Sequence, residues 1–258
     1  MGLDIYAGTL TRYYCGNWKN MVQQWAEACG HEYHVIRPGD DQGDDEEPDE
    51  AEVQAAVEQW RNLLIESVMP PGSGADEQWP ENNTAPYFTH KPDWDAFGAL
   101  LVTAACARYG EPIPQSVEKN HDFMEHPLVL KAAEDTEKVW SLFRGATMWV
   151  PLSRPLLFNG TLVNGSECTI STLAALRLEL EKLNSLVWQA DEATVAGWKD
   201  TEGYPADLEQ AEDGSVNPQK IQKHDSYDTQ SLARYAFAIL WEALLFAEKN
   251  RSAIIMDF

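Results

Sequence analysis

The stretch TMWVPLSRPLLFNGTLVNGSECTIST, residues 147–172, decides the fold class. Before and after it, apolar residues recur at three- and four-residue spacings. Here they come in short runs (148–152, 155–158 and 168–170), rich in aromatic and β-branched side chains. Asn159-Gly160 and Asn164-Gly165 interrupt those runs. Asn-Gly is the strongest short hairpin signal, because both residues adopt positive φ at little cost. The period predicts a small, mostly antiparallel sheet set in a helical chain, hence a helix-rich α+β fold.

Working outward, the helical signals are local and strong. Leu173, Leu176, Leu180, Leu183 and Val187 follow the strand section at alternating spacings of three and four. That stripe spans about two heptads and reads as a core helix rather than a coiled coil. The last helix is predicted over 229–250, its solvent side marked by Ser231, Arg234, Ala238, Glu242 and Lys249, with a closing strand at 252–258. Upstream, 94–109 is apolar nearly all round and capped by Asp93, so it is predicted to lie at the centre. His126-Pro127 starts another helix to about residue 143, with proline at the first helical position. Asp49 with Glu52 forms a capping box for a helix carrying Val53, Val57, Trp60, Leu64 and Val68. At the N-terminus, residues 3–7 read as a strand. A helix capped by Asn17 follows, with Trp18, Val22, Trp25 and Cys29 on its apolar side. A second strand over 31–36 completes a strand-helix-strand unit. No linker separates two cores, so residues 1–258 are predicted to form a single domain with long loops near 39–50, 69–92 and 199–227.

Composition narrows the function classes. The chain has 258 residues, 42 acidic and 19 basic side chains, and a formal charge of −23. Such a surface repels phosphate backbones and anionic lipid, so neither nucleic acid nor membrane is an expected partner. The chain begins without a basic region or apolar run, and its four cysteines form no CxxC pair; together these predict a cytoplasmic protein. The acid is uneven. Residues 39–58 hold ten carboxylates, including Asp44, Asp45, Glu46 and Glu47, and residues 191–213 hold eight more.

Three sets of residues are candidates for chemistry. Cys15 lies between the predicted first strand and first helix, near Arg12. A helix N-terminus and a cationic neighbour both lower a thiol pKa, so Cys15 and Arg12 are the catalytic candidates. His121, Glu125 and His126 lie in one short run whose i,i+4 spacing suits metal ligands. Tyr13 and Tyr14, with the loop tryptophans Trp79 and Trp94, are the candidate contact residues, because aromatics concentrate at interfaces. No cofactor motif is present: the Walker pattern, GxGxxG and GxSxG are all absent.

The leading expectation is a non-enzymatic binding protein whose acidic surface meets a basic protein partner. In physical character it is immunity- or inhibitor-like. The alternative is a thiol- or metal-dependent hydrolase with its site at the 12–15 loop. A third reading is a sugar platform built on the loop tryptophans.

Overall fold

In the computed structural model the described residues are 2–31, 49–72, 74, 76–205, 208–210, 216–221 and 224–258. Six strands form the main sheet: β1 (Asp4–Gly8), β2 (Phe88–His90), β4 (Ala146–Val150), β5 (Leu157–Thr161), β6 (Glu167–Thr172) and β10 (Ala253–Asp257). Their order is β2-β1-β10-β4-β6-β5, antiparallel at every pairing except β4 with β6. The first and last strands are therefore neighbours, with Tyr6 opposite Ile255 and Ala7 opposite Ile254.

Strand periodicity sends alternate side chains to opposite faces. Ile5, Ala7, Trp149, Ile254 and Met256 join one buried cluster, while Tyr6, Met148, Val150, Ala253 and Ile255 join the other. Both faces are covered, which is why these strands read as continuous apolar runs. The larger cluster lies beneath α4 (Asp93–Tyr109), α6 (Leu173–Val187) and α8 (Thr229–Asn250). The smaller lies beneath α1 (Leu10–Tyr14) and α3 (Glu50–Val68). Each fully buried Leu or Ile, such as Leu100, Leu240 or Ile254, stabilises the fold by about 1.5–3 kcal/mol.

The local signals explain most helix ends. Asp49 caps α3 by accepting from the Ala51 and Glu52 amides, and Asp228 caps α8 by accepting from the Ser231 amide. Gly110 ends α4 in the left-handed conformation at φ 71°. Asn164-Gly165 makes the predicted turn, with Gly165 at φ 83° and the Asn164 side chain accepting from the Ser166 amide and hydroxyl.

Several expectations are corrected. Asn159-Gly160 lies inside β5, paired with Thr169 and Cys168, and turns nothing. Residues 10–14 form a short helix. The next helix, α2 (Met21–Ala28), is capped by Asn20 rather than Asn17. Its Trp25 is 64% exposed, so the stripe at 18–29 is not a core face. Helix α5 (Pro127–Glu134) stops early because the Asp135 carboxylate accepts from the Glu137 and Lys138 amides and turns the chain. Ala238 is buried, so the stripe from Ser231 to Lys249 is not wholly solvent-facing. Helix α7 (Glu192–Thr201) packs beside it and places Lys199 2.5 Å from Glu242. Segment 69–92 contains β2. Segment 199–227 contains the end of α7 and the strands β7 (Leu208–Gln210) and β8 (Val216–Ile221), which pair with each other. Its last strand, β9 (Ser226–Asp228), pairs with β3 (Ser116–Glu118). The strand predicted at 31–36, from residue 32 on, and most of the 39–50 loop lie outside the described residues.

Candidate functional site

The 12–15 loop is built as a structural anchor. Arg12 Nε donates to the Asn17 carbonyl at 2.6 Å, and Nη1 donates to the Ala85 carbonyl. The guanidinium lies 4.5 Å over the Tyr87 ring. These contacts tie α1 to the 82–87 segment. Cys15 is the C-cap of α1, at the negative end of a helix rather than the positive end. Burial, and then the Glu50 carboxylate, push its thiol pKa up. The lowered thiol predicted from sequence is thus reversed, because the helix begins earlier than expected.

Trp79 is also corrected. It is 2% exposed and donates its indole N–H to Glu81 at 2.9 Å, so it forms no surface platform. At the candidate metal site, His126 Nδ1 accepts from the Leu128 amide as the N-cap of α5. Glu125 ends a 3-10 turn (Phe123–Glu125). Among the described residues no group of three His, Cys, Asp or Glu side chains is placed to hold a metal ion. Asp44, Asp45, Glu46 and Glu47 lie outside the described residues.

Trp94 and His121 do come together. They line a groove of about 560 Å³ at the start of α4, with Asp93, Asp95, Tyr204 and Tyr227. Asp95 accepts from the Asn120 amide at 2.8 Å, pinning the 119–121 loop to the helix. Burial pushes the Asp95 carboxyl pKa up, opposed by that hydrogen bond and by Lys119. Tyr204 Oη accepts from the Ala96 amide and donates to the Pro92 carbonyl, each at 3.1 Å, so it closes the helix start from outside. Its ring meets Tyr227 edge-on at 5.1 Å. Trp94 stacks on Phe123 at 6.2 Å.

Left-handed backbone recurs at the same place. Four non-glycine residues have positive φ among the described residues. Gln189 and Arg251 sit at helix C-termini, where a left-handed residue is usual. The other two, Asp93 at φ 60° and Asn120 at φ 57°, both line this groove. Asp and Asn are the non-glycine residues that enter this region most readily, so both serve here as turn residues that shape the groove.

Two further grooves adjoin it. One, of about 510 Å³, contains Tyr13, Tyr14, Thr147, Cys168 and Asp257. Tyr13 Oη donates to Asp257 at 2.5 Å, and burial pushes the Tyr14 phenol up to about 12. Its wall residue Phe258 meets Trp94 edge-on at 5.1 Å, so this groove and the Trp94 groove lie on either side of that ring pair. The other, of about 530 Å³, holds Asp200, Glu202, His224 and Asp228 and shares Tyr204 and Tyr227 with the first. Among the described residues the three grooves together carry seven carboxylates, and Lys119 is the one lysine or arginine that lines them. Lys91 pairs with Asp93 at 3.1 Å and Arg234 with Glu202 at 3.0 Å from just outside.

Chemically, the excess of carboxylates favours cations at this surface, and the Tyr204 side chain is partly exposed beside them. The sequence signal for it is the acid–aromatic–acid triplet Asp93-Trp94-Asp95. Tyr204 and Tyr227 are legible in the sequence as loop aromatics with acidic neighbours, but nothing local shows that they meet Trp94, more than a hundred residues away. Compared with known protein families, curated proteins and solved structures, the chain matches none. Fold and site together define an acidic α+β protein with a set of adjacent carboxylate- and aromatic-lined grooves.

Proposed function

We propose that this is a non-enzymatic binding protein that engages a basic protein partner through the groove surface around Trp94 and Tyr204. In physical character it is immunity- or inhibitor-like, and cytoplasmic residence belongs to the same reading. The carrying observation is the lining: among the described residues, seven carboxylates and one lysine around the partly exposed rings of Trp94 and Tyr204. Complementary charge raises the encounter rate with a basic surface, and aromatic residues supply the short-range contact. No helix of the described residues is long and apolar enough to cross a membrane. The thiol-dependent alternative gains no support at Cys15, whose neighbours disfavour the thiolate.

The test is biolayer interferometry of the immobilised protein against folded proteins ranging from acidic to basic, cytochrome c among the basic ones. Binding restricted to basic members and weakened by salt supports the proposal. Equal responses to acidic and basic members, or none at all, would overturn it.

A further inference from the structure

The proposed function names a basic partner but not the form in which it meets this surface. We infer that the three grooves act as one track for an extended, lysine- or arginine-rich peptide segment. This rests on the proposed function and adds the shape of the occupant.

Adjacency is the first argument. Phe258 of the Tyr13–Asp257 groove touches Trp94 of the middle groove, and Tyr204 with Tyr227 forms a wall common to the middle and third grooves. A convex folded surface fills one concavity of this kind. An extended chain follows several in succession, with alternate side chains directed into the walls.

Charge is the second argument. Carboxylates occur in every section: Glu167 and Asp257 in the first, Asp93 and Asp95 in the second, Asp200 and Asp228 in the third. A partner with basic residues at intervals meets a carboxylate in each groove. Between the charges stand the faces of Trp94 and Tyr204, which suit the ammonium or guanidinium of the same side chains.

The experiment is fluorescence anisotropy with short and long labelled Lys-Gly repeat peptides. Wild type is compared with the Asp93→Asn/Asp95→Asn double variant. Asparagine keeps an acceptor for the Asn120 amide and tolerates the φ of 60° at position 93, so the fold is retained. A Glu66→Gln/Glu134→Gln variant, at exposed positions off the track, is the charge-matched control. Expected results are an affinity that rises with peptide length and weakens between about 0.05 and 0.5 M NaCl. The groove variant should lose about five-fold in affinity, and the control should match wild type.

Equal affinity for short and long peptides would overturn the track, as would spermine matching the long peptide or a groove variant that binds like wild type. If the peptides fail while cytochrome c still binds in a salt-sensitive way, the track falls and the proposed function stands. If neither binds, both fall.

Discussion

The Glu179 carboxylate holds Ser141 twice, accepting its backbone N–H at 2.6 Å and its hydroxyl at 2.9 Å. It also accepts the Leu142 amide at 3.2 Å, while the Ser141 hydroxyl accepts the Trp149 indole N–H at 2.9 Å. One buried carboxylate on α6 therefore fixes the turn that leads into β4. Glu81 and Glu77 do the same elsewhere, each taking the amide and hydroxyl of one residue, Thr11 and Ser153 respectively. Such chelates satisfy backbone donors that helix and sheet leave unpaired.

Burial pushes the Glu179 carboxyl from 4.5 up to about 7, against the three donors and Arg108, all of which favour the charged form. A folded-state value above the unfolded one favours the protonated fold. The associated stability is fully present below pH 4.5 and is lost as pH rises through about 7. Each pH unit across that window changes stability by about 1.4 kcal/mol, so the total is on the order of 3 kcal/mol. Urea denaturation of wild type and Glu179→Gln between those pH values checks this. Wild type should lose stability relative to the variant as pH rises, and parallel curves would refute the assignment.

Glu81 accepts from the Thr11 amide, the Thr11 hydroxyl and the Trp79 indole at 2.9–3.0 Å. Glu81→Ala leaves three buried donors unpaired and should cost on the order of 3 kcal/mol. Hydrogen exchange at the Thr11 amide should accelerate more than exchange in α8. Uniform acceleration would mean that Glu81 does not hold α1 in particular.

Gly98 lies within α4, where alanine ordinarily gains about 1 kcal/mol in helix propensity. A Cβ there would stand 2.5 Å from Phe123 Cδ1, on the ring that stacks against Trp94. Gly98→Ala is therefore expected to lower the melting temperature, by roughly 1–2 kcal/mol of net destabilisation. A raised melting temperature would show that Phe123 moves aside freely.

The cysteines separate the binding reading from the thiol reading. Cys29 is exposed and Cys106 buried, and burial raises the Cys15 and Cys168 thiols. Iodoacetamide labelling at neutral pH, followed by mass spectrometry, should modify Cys29 first and Cys15 slowly. Preferential labelling of Cys15 would restore it as a nucleophile.

Much of the architecture was legible where its signal was local. The apolar period places α8 at 229–250 without reference to anything else in the chain, and Asp49 marks the start of α3 in the same way. Pairings across the whole chain left no such trace. Nothing near Tyr6 announces that Ile255 is its neighbour, and the β2 strand of three residues is too short to show a period. Trp25 misled because its spacing from Val22 and Cys29 is helical, whereas burial depends on what lies opposite. The site followed the same rule. Trp94 and His121 were legible as residue types, but the groove needs Tyr204 and Tyr227, which only the folded chain brings to the start of α4.

The most direct test of the central claim is a ¹H–¹⁵N correlation titration of the labelled protein with a lysine-rich peptide. Binding at the groove predicts that the Trp94 indole N–H and the amides of Asp95, Asn120 and Gly203 shift together, and that added salt reverses them. Shifts confined to α2 around the exposed Trp25, or spread evenly over the surface with the groove unmoved, would contradict it.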